Sequence, residues 1–147
     1  MDLSESAVTA FADVARKSGV SATVDDWQIR VPTYTPDIGE TLARMAAALV
    51  AAPPALAPGV YHYSSDDRTT RFGLVRTFGQ LLGVDVSHVT RNPSAPPGAP
   101  RPFDCHLVTA KLRATGLAAP PTPLVEGLRA VLEGAGLSLA GVGSCSS

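Results

Sequence analysis

Apolar residues first recur at helical spacing near the amino end, where Val8, Phe11, Ala12 and Ala15 share one stripe of a helix expected over residues 4–17. Ser4 or Ser6 is placed to cap it, and Gly19, after the basic pair Arg16-Lys17, is placed to stop it. Two short β-prone pieces, 22–25 and 28–31, lie on either side of Asp26-Trp27. The next helix has the best start signal in the chain: Thr35 can accept from free amides, Pro36 suits the first helical position, and Asp37 and Glu40 favour the positive end of the dipole. Ile38, Leu42, Met45 and Leu49 form its expected buried stripe, and Pro53-Pro54 end it.

Further along, Gly59-Val60-Tyr61-His62-Tyr63 reads as a compact strand. Thr69 or Thr70 caps a helix with an apolar face of Leu74, Val75, Phe78, Leu81 and Leu82 that stops at Gly83. Residues 86–90 are β-prone, a Pro-rich loop runs from Asn92 to Pro102, and an extended piece covers Cys105 to Val108. A brief helix follows at Thr109 to Ala114. The last begins at Thr122-Pro123, with Leu124, Val125, Leu128, Val131 and Leu132 on one face. From Gly134 the chain is Gly/Ala/Ser-rich and expected to fray, which divides it into a lobe, 1–133, and a flexible tail, 134–147. Few, short apolar strands among helices point to an α/β arrangement with a mostly parallel sheet, and such a sheet needs more strands than this chain supplies.

Composition narrows the function classes. A length of 147 residues with 45% hydrophobic content suits one domain with a core. The net charge of −1 and the absence of a basic patch argue against nucleic acid and against a membrane surface. The acidic, polar start MDLSESAV lacks the basic and apolar regions of a secretory signal, so a soluble cytoplasmic protein is expected. Cys105 and Cys145 have no metal-ligand spacing, and neither do His62, His88 and His106. Asp25-Asp26 and Asp66-Asp67 fall in turns, where aspartate serves the backbone.

The nucleotide and hydride chemistry sought in such a fold has no match. The glycine cluster GAGLSLAGVG at 134–143 lacks the spacing of a pyrophosphate-binding turn and follows a helix. Tyr34, Tyr61 and Tyr63 are followed four residues later by Ile38, Ser65 and Asp67, so the Tyr-x-x-x-Lys pair that lowers a phenol's pKa for proton exchange does not occur. No GxSxG elbow activates a serine.

The stretches SESAVTAF, VDDWQIRVPTYTPDIGETL, PGVYHYSS, APRPFDCHLVTAKLRATG and PLVEGLRAVL, in that order, are similar to the carboxyl half of the extended short-chain dehydrogenase/reductase proteins. They most resemble the dTDP-4-dehydrorhamnose reductase-like (RmlD-like) group and its offshoot, the regulatory beta subunits of methionine adenosyltransferase. The resemblance implies the carboxyl-terminal substrate-binding lobe of an NAD(P)-binding, Rossmann-like superfamily, with the amino-terminal Rossmann half absent. It implies NADP in full-length relatives; because this chain lacks the Gly-rich turn, the Tyr/Lys pair and any metal-ligand spacing, no cofactor and no catalytic or metal residues are expected in it. The function implied is non-catalytic regulation in S-adenosylmethionine synthesis through the methionine adenosyltransferase catalytic subunit. The alternatives are a fragment of an NADPH-dependent sugar-nucleotide reductase, or a truncated product without activity.

Trp27, Gln28, Arg30, Thr33 and Arg101 are the candidate substrate- or partner-cleft residues, arginine suiting phosphate or carboxylate and tryptophan supplying a flat anchor. A purely structural reading competes, in which Trp27 packs on the second helix and Arg30 pairs with Asp37. A lobe of this kind made alone exposes apolar surface and strand edges, which favours self-association.

Overall fold

Thr70 sets where the central helix begins: its hydroxyl accepts from the Gly73 amide at 2.9 Å, and α3 (Arg71–Leu82) runs from there to Gly83, which turns left-handed at φ 65°. The computed structural model describes residues 6–52 and 56–140. The other elements are α1 (Ala10–Arg16), β1 (Ala22–Asp25), α2 (Thr35–Ala51), β2 (Val89–Asn92), α4 (Ala110–Arg113) and α5 (Leu124–Gly134). Ser4, Pro53-Pro54 and Cys145 lie outside the described residues.

The core gathers around α3. Leu74, Val75, Phe78 and Leu81 pack with Ala12 and Ala15 of α1, Val24 of β1, Val89 of β2, and Leu128 and Leu132 of α5. β1 and β2 pair in parallel, with Ala22 opposite Val89 and Asp25 opposite Asn92. A parallel pair requires a crossover, and α2 and α3 lie in it. The result is the expected mixed α/β lobe with a small parallel sheet. Asp26 ties the end of β1 to α3 and β2, its carboxylate accepting from the Thr70 hydroxyl at 2.6 Å and pairing with Arg91 at 3.2 Å.

Several expectations are corrected. Helix α1 starts at Ala10, and before it the Ser6 hydroxyl accepts from the Val8 amide at 3.2 Å, a local bond that competes with helix. The 28–31 piece makes only isolated bridges: Ile29 beside Asp104 and Arg30 opposite Thr69. Pro32 has no amide to continue a ladder, and the chain on the other side enters α3 after Thr69. Gly59–Tyr63 forms no strand. Its side chains are β-prone, but among the described residues no strand lies alongside, and no main-chain hydrogen bond joins it to another backbone group. Tyr61 and Tyr63 turn onto the lobe instead, the Tyr61 ring lying 4.2 Å beneath Lys111 Nζ and the Tyr63 hydroxyl donating to Ala119 O at 3.2 Å.

Helix α2 is rotated from its expected setting. Tyr34 is the N-cap and no side chain caps it, Thr35 and Pro36 opening the first turn. The residues it buries are Asp37 and Thr41, whereas Leu42, Leu49 and Val50 are 60%, 42% and 84% exposed. The carboxyl end differs too. Past Gly134, the Leu137 amide donates to Leu132 O at 3.0 Å and the Ala140 amide to Leu81 O at 2.9 Å, while Leu137 and Leu139 pack on the core. A Cβ at Gly83 would sit 2.9 Å from that of Ala140, so this glycine both ends α3 and admits the returning segment.

These burials separate two substitutions that the periodicity alone ranks alike. Phe78→Ala should cost about 3–5 kcal/mol in urea unfolding. Leu42→Gln should change stability by no more than about 0.5 kcal/mol. A large loss for Leu42→Gln would mean that α2 buries its apolar stripe after all.

Candidate functional site

The turn after β1 organises the predicted cleft residues. Asp25 Oδ1 accepts from the Trp27 amide at 3.0 Å and the Gln28 amide at 3.3 Å, an aspartate turn that swings both side chains toward the Pro-rich loop. Gln28 is 4% exposed. Its Nε2 donates to Pro102 O at 2.9 Å and to Cys105 Sγ at 3.2 Å, and its Oε1 accepts from Arg30 Nη2 at 2.6 Å. Trp27 meets Phe103 edge-to-face, with centroids 5.1 Å apart. The Ile29 amide donates to Phe103 O at 2.7 Å.

Trp27, Gln28 and Arg30 therefore come together, but as a latch that holds residues 102–105 against the sheet end. The competing pairing of Arg30 with Asp37 is overturned. The Trp27 ring pairs with Phe103 of the loop, and Arg30 pairs with Gln28 while Asp37 is engaged by Thr122. Arg30 Nε is buried without a hydrogen bond, a cost of about 1–3 kcal/mol that the surrounding latch must offset. Arg101 is exposed at the edge of this loop, beside Pro102.

Thr33 belongs to a different place. Its hydroxyl accepts from the Ser65 amide at 3.2 Å, and it lines a cavity of about 250 Å³ between the Pro32–Thr35 turn, the residues leading into α1, and the start of α5. Thr122, Pro123, Leu124, Gly127, Leu128 and Val131 supply the α5 side, and Tyr34 lies against the backbone of Gly127, where a Cβ would come within 3.4 Å of the ring. Periodicity did not point to Tyr34 or Gly127, and it marked Thr122 and Val131 only as the start and the apolar face of the last helix. The available signal was that two helices open on Thr-Pro, at Thr35-Pro36 and Thr122-Pro123, and both starts border the cavity.

The two starts are joined by polar bonds. Asp37 Oδ2 accepts from the Thr122 amide at 2.7 Å and Oδ1 from its hydroxyl at 2.8 Å. One turn on, the Thr41 hydroxyl accepts from the Ala119 amide at 3.0 Å. Arg44, paired with Glu40, reaches Ala118 O at 3.4 Å. Burial, and then the nearby charge of Asp37, push the Tyr63 phenol above its ordinary value, with Arg113 pulling the other way.

What the site can do is bounded by its lining. Among the described residues no lysine, arginine or histidine lines the cavity, so none supplies a counter-charge for a phosphate there. Among the described residues no cluster of histidine, cysteine, aspartate and glutamate could hold a metal ion. Among the same residues no helix is long and apolar enough to cross a membrane.

Comparison with known proteins places this geometry in a family. The model of the RmlD substrate binding domain matches residues 2–135. The chain belongs to that family. Relatives are the proteins named methionine adenosyltransferase 2 subunit beta. That of Xenopus tropicalis is 32% identical over 128 residues, covering 86% of this chain and 37% of the relative. The Danio rerio protein is 30% identical over 128 residues, 85% of this chain and 39% of the relative. The Mus musculus protein is 29% identical over 128 residues, 86% of this chain and 37% of the relative. The chain thus spans 37–39% of the length of these relatives. In this RmlD-type lobe the Pro32–Thr35 turn both ends the latch segment and walls the cavity.

Asp37→Ala should cost on the order of 2–4 kcal/mol, because it leaves the Thr122 amide and hydroxyl without their charged acceptor. A value near zero in chemical denaturation would show that the two helix starts hold together without it. The raised Tyr63 value gives a second outcome. The contribution of its neutral phenol is fully present below the ordinary value of 10.0 and is lost as pH rises through the folded value. Stability should fall in that alkaline range, and Tyr63→Phe should flatten the fall.

Proposed function

We propose that this chain is a non-catalytic regulatory protein of the cytoplasm, acting in S-adenosylmethionine synthesis by contacting a methionine adenosyltransferase catalytic subunit. The observation that carries this reading is its similarity, over most of its length, to proteins named as beta subunits of that enzyme. The exposed apolar residues of α2 support it, since a helix with buried Asp37 and Thr41 and exposed Leu42, Leu49 and Val50 suits a chain that works packed against another protein. The cation-free cavity and the internal engagement of Gln28 with Arg30 fit a chain that needs no nicotinamide cofactor of its own.

One observation favours a second reading, in which the chain is the lobe of a sugar-nucleotide reductase: the family model is that of a substrate binding domain. There Arg101, exposed on the 101–105 loop, would face the substrate's phosphates.

The two readings separate in solution. Mixing the purified chain with a methionine adenosyltransferase catalytic subunit should give a complex on gel filtration at micromolar concentrations and shift the enzyme's response to methionine. NADPH should leave the chain's thermal unfolding unchanged. Failure to form the complex discards the regulatory reading for this chain, and NADPH turnover by the purified protein would establish the reductase reading in its place.

A further inference from the structure

The proposed function rests on no property of the cavity beside Tyr34 that would require a ligand, and the cavity's lining points to a ligand class of its own. Its floor and sides are Val8, Pro32, Pro123, Leu124, Leu128 and Val131. The Tyr34 ring lies against Gly127 of α5, where an added Cβ would sit in van der Waals contact with the ring at 3.4 Å. Around this apolar surface stand the hydroxyl-bearing residues Ser6, Thr9, Thr33, Thr35 and Thr122.

Most of those groups are committed to the fold. Ser6 Oγ accepts from the Val8 amide, Thr9 Oγ1 donates to Ser6 O, Thr33 Oγ1 accepts from the Ser65 amide, and Thr122 Oγ1 donates to Asp37. Among the described residues the hydroxyls of Tyr34 and Thr35 have no such bond, so they are the groups left to meet a polar atom of a guest. Charge sets the remaining limit. The lining holds no cationic side chain, and the charged group behind it is the carboxylate of Asp37, bonded to Thr122. An anion entering this space would surrender its hydration with no counter-charge to replace it.

Size then selects. An apolar cavity of about 150 Å³ takes up benzene. At about 250 Å³ this one, which is open to solvent on one side, has room for one ring or a small fused pair. We propose that the cavity between the Pro32–Thr35 turn and α5 is a binding site for a small, uncharged ring compound carrying one hydrogen-bonding group, of the size of phenol or indole. The ring would stack among Tyr34, Leu128 and Val131, and its hydroxyl or N–H would meet Tyr34 or Thr35.

Titration of the ¹⁵N-labelled chain with phenol and with indole tests this, with benzoate as the charged counterpart of phenol. Saturable amide shifts are expected at Thr33–Thr35 and Thr122–Val131, with benzoate at least about ten-fold weaker. Val131→Phe, which fills the space, should weaken phenol binding by about ten-fold or more. Leu124→Trp, on the same wall, repeats the test if the first variant loses its dispersed spectrum. The proposal is overturned if neither compound gives saturable shifts in the millimolar range, or if the shifts map elsewhere. It is equally overturned if benzoate matches phenol, or if a folded filling variant binds as well as the wild type.

Discussion

The Asp37 carboxylate is the point on which the arrangement of this lobe turns. It is 8% exposed and is held by the amide and hydroxyl of Thr122, so the first turn of α2 is fixed to the segment that leads into α5 across 85 residues of chain. Thr41 and Arg44 lie on the same side of the helix at spacings of four and three, and they reach Ala119 and Ala118. A helix held to its own lobe by a polar stripe half-covers Ile38 and Met45 and leaves Leu42, Leu49 and Val50 outside. Burying Asp37 without those donors would cost several kcal/mol, so the rotation of α2 is dictated by the acid and not by the leucines.

The same logic accounts for the other incomplete surface. Val60 is 74% exposed, while Tyr61 and Tyr63 face the lobe and are anchored by Lys111, Ala57 and Ala119. The segment has a strand's alternation, one face on the lobe and one outward, without a strand's ladder. Together with the outer face of α2 it is the part of the lobe whose residue types ask for a neighbour. In the beta-subunit relatives more than half of the chain lies outside the matched region, and the lobe has to be read as one body of a larger arrangement in those proteins.

How much of this was legible in the sequence depended on whether the local signal and the tertiary demand agreed. They agreed at α3, where Thr70, the Leu74–Phe78–Leu81 stripe and Gly83 all say the same thing, and at β1, α4 and α5. They disagreed at α2, where the 3.6-residue period finds a stripe but cannot say whether it is covered, and at Gly59–Tyr63, where β-propensity describes a side-chain surface and not the presence of a partner. The end of the chain misled for another reason: Gly and Ala read as loose, yet Leu137 and Leu139 suffice to dock residues 135–140. Of the candidate site, the clustering of Trp27, Gln28 and Arg30 was visible in the sequence, but their partners, Pro102, Phe103 and Cys105, are 74 or more residues away and carry no periodic signature.

Those partners change what the arginine can be. An arginine ahead of a Pro-Thr turn suggests an anion site, because a guanidinium presents donors in a planar fork. Here one arm of the fork is spent on Gln28 Oε1 and the buried Nε has no acceptor, so Arg30 completes a latch whose amide end secures the backbone of Pro102. A half-buried arginine of this kind serves position more than charge, and it fixes where Arg101 sits on the surface, one residue before the latched carbonyl. The lobe thus separates two tasks that a cleft reading would merge. Polar chemistry is used up in joining distant segments, and the space left open, beside Tyr34, is apolar and uncharged.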